Sequence, residues 1–202
     1  MMNFSRISHT AYNRLPHIET QSPPSDSGLR EIGKLLVEHC ISKEVGISLL
    51  HRHFDLKEDE VMVHNGLRCS PSHLSEPDAD SLNPSSFFLS SNGDFQAYEY
   101  ESSDDEPLDE ILTTAFLEDL SDVLKIHQLE DRIAISKLNQ DHDRLMEHCE
   151  VEERAHVCQP MRGKIEAREA TEWKFEEVGD AHVVPVAVKG CARTGEGQHK
   201  VK

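Results

Sequence analysis

The run VGISLLHRHFDLKEDEVMV, residues 45 to 63, decides how the rest of the chain is read. Its first half alternates: Val45, Ile47, Leu49, His51 and His53 would share one face of a strand, with Gly46, Ser48, Leu50, Arg52 and Phe54 on the other. The competing reading is the second helix of a helix-turn-helix, Glu44 to Phe54 capped by Ser42. Period two among the apolar residues, and the cost of Gly46 inside a helix, favour the strand. A DNA-reading helix would also present only Lys43 and Arg52 as fixed cations. The charged turn Asp55 to Glu60 then leads to a second short strand, Val61 to Val63, which ends near the turn dipeptide Asn65-Gly66.

Toward the N-terminus, Leu29, Ile32, Leu36 and Cys40 recur at helical spacing, with Leu35 widening the stripe. This predicts a helix from Leu29 to His39, with Ser27 or Asp26 able to cap it. Residues 1–28 are polar and carry Pro23-Pro24, so a disordered N-terminal arm is expected there.

Toward the C-terminus, Pro71, Pro77 and Pro84 among serines and acids mark residues 67–86 as a flexible loop. FFLSSNGDFQAYEY, residues 87 to 100, predicts a hairpin that turns at Asn92-Gly93. An acidic linker, 101–107, leads to Pro107 and a long helix whose stripe runs from Leu108 through Phe116 and Leu124 to about Leu129. Residues 132–138 alternate as a strand, and 141–153 is charged and expected as helix or loop. Two more strands are predicted, 172–176 around Trp173 and 182–188, where Pro185 argues for a sheet edge. The tail 195–202 is expected to fray. This order of elements is not a regular alternation. It predicts an α+β fold, one domain over 29–194 with a mainly antiparallel sheet and two or more helices packed on one face.

Charge narrows the function. With 21 Lys+Arg against 38 Asp+Glu the formal net charge is -17, and the mean hydropathy is -0.57. Such a field repels phosphate backbones and anionic lipid, so no nucleic acid and no membrane surface is expected as a partner, and a basic protein or cationic small molecule suits it better. No apolar run approaches the roughly 20 residues of a membrane span, and no secretory apolar segment is seen, so an intracellular, cytoplasmic setting is expected. Five cysteines then read as reduced thiols.

Two constellations can carry chemistry. On a strand, His51 and His53 sit about 7 Å apart on one face and can reach one metal or one substrate; His64 or Asp55 is the nearest third group in sequence. The alternative is a strand end that emerges into solvent. The second set is Cys149, His156, Cys158, Cys191 and His199, with His148 nearby, which could supply a structural zinc although no CxxC knuckle is present. Neither a GxSxG elbow nor a phosphate-binding glycine loop occurs. The acidic residues Glu99, Glu101, Asp104, Asp105, Glu106, Asp109 and Glu110 read either as a solvated run or as a docking patch for a basic partner or a divalent cation.

The segments GISLLHRHFDLKEDEVMV, SNGDF and VAVKGCA resemble a set of small intracellular fungal proteins in which an LHRHF-like strand, a hairpin and a late strand ending in Lys-Gly recur. The resemblance implies an accessory role near secondary-metabolite pathways and brings no catalytic residues. Two functions are therefore expected side by side. One is a small acidic protein acting by binding. The other is a metal-dependent or histidine acid/base enzyme with its site at His51, His53 and His64.

Overall fold

The computed structural model describes residues 4–75, 82–102, 106–166, 169–178 and 182–191. Strand β1 is Ser5–Arg6 and helix α1 is His9–Tyr12, followed by a 3-10 turn at Ile18–Thr20 and helix α2 at Asp26–Glu38. Strands β2 (Val45–Leu49), β3 (Glu60–Asn65), β4 (Arg68–His73), β5 (Asn83–Leu89) and β6 (Phe95–Glu101) come next. Helices α3 (Leu108–Ile111) and α4 (Thr114–Ile126) precede β7 (Ile133–Lys137), β8 (Leu145–Glu150), β9 (Ala155–Pro160), β10 (Ala170–Val178) and β11 (His182–Cys191).

Hydrogen bonding links the strands in the order β6-β3-β4-β9-β8-β11-β10-β2-β7-β5, and β5 pairs with β6 to close the ring. The result is one domain built on a mixed ten-stranded barrel. Only β3–β6 and β8–β11 are parallel within the ring, and β1 adds to β6 in parallel beyond the end of β3. The expected single domain and mainly antiparallel pairing are present, but the open sheet with helices on one face is not. Closure depends on β5 pairing with both β6 and β7, a long-range choice that removes the unpaired edges of an open sheet.

The two faces of the wall differ. Ile47, Leu49, Phe87, Leu89, Ile133 and Ile135 belong to the larger apolar core, which includes Leu29, Ile32 and Leu36 of α2 and Phe116, Leu120 and Leu124 of α4. Alternate residues Met62, Phe88, Tyr98 and Ala134 form a second cluster with Tyr12, Leu15 and Leu50. Helix α2 lies close to the wall because Gly33 has no side chain: a Cβ there would fall 2.3 Å from Cδ1 of Phe175.

Several expectations are corrected. Residues 4–28 are not a disordered arm; Ile7, Tyr12, Leu15 and Ile18 are buried, and these scattered apolar residues pack because the barrel offers them an apolar surface. Within 67–86, β4 and the start of β5 replace much of the expected loop, while 76–81 lie outside the described residues. The charged stretch 141–153 contains β8, in which Leu145, Glu147 and Cys149 face one way and are buried. Strand β9 was not anticipated. The long helix is broken at Leu112 and Thr113, where Thr113 caps α4 by accepting from Phe116 N. Asn92-Gly93 does lie in the β5–β6 turn, but the turn spans Ser90 to Asp94 and only Gly93 takes positive φ, at 89°. Pro185 is not on an edge strand, yet β8 pairs only with Lys189, Gly190 and Cys191, so the proline lacks a second neighbour. Of the acidic linker 101–107, Glu101 belongs to β6, and 103–105 lie outside the described residues, as does the tail 195–202.

Candidate metal centre

The inner face of the wall is polar where register brings the neighbouring strands β3, β4, β9 and β8 together. His64 on β3 pairs with Cys69 on β4, Cys69 pairs with His156 on β9, and His156 pairs with Cys149 on β8. One step along β8, Glu147 stands opposite Cys158 of β9 and opposite Cys191 of β11. A row of cross-strand partners thus places histidines, thiols and a carboxylate on the same patch of wall.

His51 and His53 reach this patch from another direction. Strand β2 ends at Leu49, so they are not alternating strand residues; they lie on an irregular segment that bends at His53 and Phe54. That segment is clamped by the N-terminal residues. Gln21 Nε2 donates to Leu50 O at 2.6 Å, Arg52 Nε donates to Leu15 O at 3.0 Å, and Asn13 exchanges hydrogen bonds of 2.8 and 2.7 Å with the backbone of Leu56. Tyr98 Oη donates to the His51 carbonyl from the barrel wall. Both imidazoles are buried, as is Glu147.

Glu147 is the hub. Its Oε2 lies 3.4 Å from His51 Nε2 and 3.3 Å from His53 Nε2, and its Oε1 lies 3.3 Å from His156 Nε2. The Cys191 thiol is in hydrogen-bond contact with the same carboxylate. Ligand atoms of His51, His53, Glu147 and Cys191 all fall within 4.8 Å of one another, so this buried group could hold a metal ion. Separations of 3.3 to 3.4 Å are long for charge-assisted hydrogen bonds but match the ~3.4 Å edge of a tetrahedron with bonds of about 2.1 Å.

Electrostatics agree with the geometry. Burial pushes the Glu147 carboxyl upward, but His156, His53 and His51 hold it well below the usual carboxylate range. Burial pushes His156 down to about 3, against the pull of Glu147, and so keeps its ring neutral, the form a metal ligand needs. For His51, burial works downward, yet the hydrogen bond and charge of Glu147 leave it raised. Burial also drives the Cys191 thiol upward, so it stays protonated until an ion displaces the proton.

A cavity of about 650 Å³ opens onto the cluster, with His51, His64, Glu99, Glu147, His156 and Lys189 in its lining. That is the size of a small-molecule pocket. Lys189 is engaged by Glu172 at 2.6 Å, and Ser48 and Ser136 hydrogen-bond each other across β2 and β7 at 2.7 Å.

Of the sequence candidates, His51 and His53 meet at one carboxylate, and His64 lies in a neighbouring group with Cys69, Glu99 and His156. Asp55 is not a ligand; its exposed side chain pairs with Arg52. The expected zinc set is divided: Cys191 joins His51 and His53, His156 joins His64, Cys149 and Cys158 are buried outside both groups, and His199 lies outside the described residues. Glu147 was missed although the alternation of LMEHCE could have shown it as an inward carboxylate. Glu99 stood out only as a member of the acidic run, with nothing to mark it as facing the interior. Register shifts in the β5–β6 pairing place Ser86 opposite Glu99 and Phe87 opposite Ala97, so both Tyr98 and Glu99 reach the cavity.

Among the described residues no helix is long and apolar enough to cross a membrane. Compared with protein-family models, curated proteins and solved structures, the chain matches none.

Proposed function

We propose that this protein is a metal-dependent enzyme that holds one divalent transition-metal ion on His51, His53 and Glu147 and acts on a small polar molecule in the barrel cavity. One observation carries the reading. His51 Nδ1 lies 2.8 Å from the Leu49 carbonyl, which can only accept, so Nδ1 carries the proton and donates. In the neutral ring that leaves the Nε2 lone pair facing Glu147 Oε2 at 3.4 Å in a solvent-excluded site. Two electron-rich atoms held face to face call for a proton or a metal ion between them, and 3.4 Å is long for the charge-assisted hydrogen bond a proton would make. A backbone carbonyl behind the distal nitrogen is the usual way a ligating imidazole is oriented.

Two histidines and one carboxylate form a set that leaves coordination positions open, as hydrolytic zinc and non-haem iron centres do. A bound ion would supply Lewis acidity to a water or substrate oxygen. The chain's own residues do the rest: the clamped 50–56 segment fixes both imidazoles, and Cys191 hydrogen-bonds the carboxylate. Burial excludes bulk water. Ionised Glu99 and Glu147, with Lys189 already paired to Glu172, favour a cationic or hydroxyl-rich guest. The expected alternative, a protein acting only by binding, would need no such ion.

Elemental mass spectrometry of the purified protein tests the ion. Metal should be present in the wild type and in Cys149→Ser/Cys158→Ser, and absent in His51→Ala/His53→Ala. Metal that survives the histidine substitutions sinks the assignment. Cobalt substitution then tests the open position: added azide should change the visible spectrum. A spectrum indifferent to azide, with a thiolate charge-transfer band, would make Cys191 a fourth ligand and the site a closed structural one.

A further inference from the structure

Beside the first ligand group lies a second one that this function has not used. His64, Cys69, Glu99 and His156 place one ligand atom each within 4.8 Å of one another, on β3, β4, β6 and β9. His64 Nε2 lies 3.0 Å from Glu99 Oε2. The His156 ring packs 4.6 Å from that of His53 and 5.8 Å from that of His64, so it stands between the two groups. Glu147 connects them as well, with Oε2 toward His51 and His53 and Oε1 toward His156.

Charge balance gives an independent reason for a cation here. Glu147 is 3% exposed and the Glu99 side chain 15%, both on one cavity. The one lysine nearby, Lys189, is held by Glu172 at 2.6 Å, and the other lining lysine, Lys137, by Glu101 at 2.6 Å. Two carboxylates so placed, with imidazoles in contact and Lys189 shared with Glu172, are costly to bury. His156, 2% exposed, also has an Nδ1 shielded from solvent without a hydrogen-bond partner.

We infer that the barrel binds a second divalent metal ion on His64, Glu99 and His156, next to the first, with the Glu147 carboxylate spanning the pair. The inference rests on the first site being a metal site. Cys69, buried beside these ligands, is a fourth donor available to a soft ion. Two ions a few ångströms apart clamp both oxygens of a reacting group, which suits hydrolysis of an ester, amide or phosphoester bond. The class of chemistry thus shifts from a single Lewis acid toward two-metal hydrolysis.

The test is stoichiometry and spin coupling on the full chain. Apo protein is loaded with Mn²⁺ alone, freed of excess ion, counted by elemental mass spectrometry and examined by electron paramagnetic resonance. The wild type should hold two ions per chain with an exchange-coupled spectrum. His64→Gln/Glu99→Gln should hold one uncoupled ion, and circular dichroism must show the same secondary structure as the wild type. One uncoupled ion in the wild type, retained in His64→Gln/Glu99→Gln and lost in His51→Ala/His53→Ala, would overturn the second site and leave the first standing. No bound ion overturns both. Two uncoupled ions overturn the shared carboxylate. Because the wild-type count and coupling need no variant, misfolding of a substituted chain leaves the test decisive.

Discussion

The outer and inner faces of the same barrel wall are governed by opposite rules. Outside, Ile47, Leu49, Phe87 and Ile135 share one core with the apolar stripes of α2 and α4, and burial of hydrocarbon is the driving force. Inside, next to the apolar plug of Tyr12, Leu15, Met62 and Phe88, the wall carries His156, Glu147, Glu172 and Ser136, all buried and polar. Polar burial of that kind costs stability unless partners or a ligand answer it. The outer face therefore maintains the fold, and the inner face carries the candidate site.

The contrast can be broken most severely on the outer face. Phe116→Ala, a fully buried ring, should cost about 3–5 kcal/mol, read as a fall in the urea midpoint. A cost below ~1 kcal/mol would show that α4 does not seal the core. Tyr12→Ala should cost about 3–4 kcal/mol. It should also weaken metal binding, because Tyr12 opens the segment whose Asn13, Leu15 and Gln21 hold the 50–56 stretch. Loss of stability with unchanged metal affinity would separate the plug from the site.

Glu147→Gln sharpens the comparison in the other direction. The amide keeps the shape but removes the charge that His156, His53 and His51 favour, so the metal-free protein should lose about 3 kcal/mol. The wild type alone should gain stability on adding metal, about 2.7 kcal/mol at 100 times the dissociation constant. Equal metal-induced stabilisation in both chains would remove Glu147 from the centre.

The smallest effect lies at the rim. Two contacts from the Arg154 guanidinium to Glu60, at 2.8 and 2.6 Å, hold that carboxyl down at about 2. A folded-state value below the unfolded one means stability that is present above about pH 4.5 and is lost as pH falls toward 2. Glu60→Gln should flatten the melting temperature between those limits by a few degrees at most and leave it nearly unchanged below pH 2. An identical acid limb in both chains would mean that other groups set it.

How much of this was legible varies with the range of the interaction. The stripe Leu29, Ile32, Leu36 gave α2 to within a few residues, and alternation around Ile133 to Lys137 gave β7. His51 and His53 stood out because two imidazoles ended an apolar run. Strand β8 was hidden by its charged alternate residues, and Glu99 by register shifts that local period two cannot anticipate. The N-terminal segment was misread because its buried residues, Ile7, Tyr12, Leu15 and Ile18, follow no regular period.

By itself the sequence determined the local elements, the strong negative charge and the identity of the two leading candidate ligands, since these depend on residue type and short spacing. Only the tertiary structure decided that the strands close into a barrel, that Ile7, Tyr12 and Leu15 pack against its inner face, and that Glu147 meets His51 and His53. Those outcomes rest on strand pairings between residues far apart in the chain, such as Ser48 with Glu172 and Cys191 with Glu147. Register across a closed wall brings such residues together, and no periodicity within one segment encodes it.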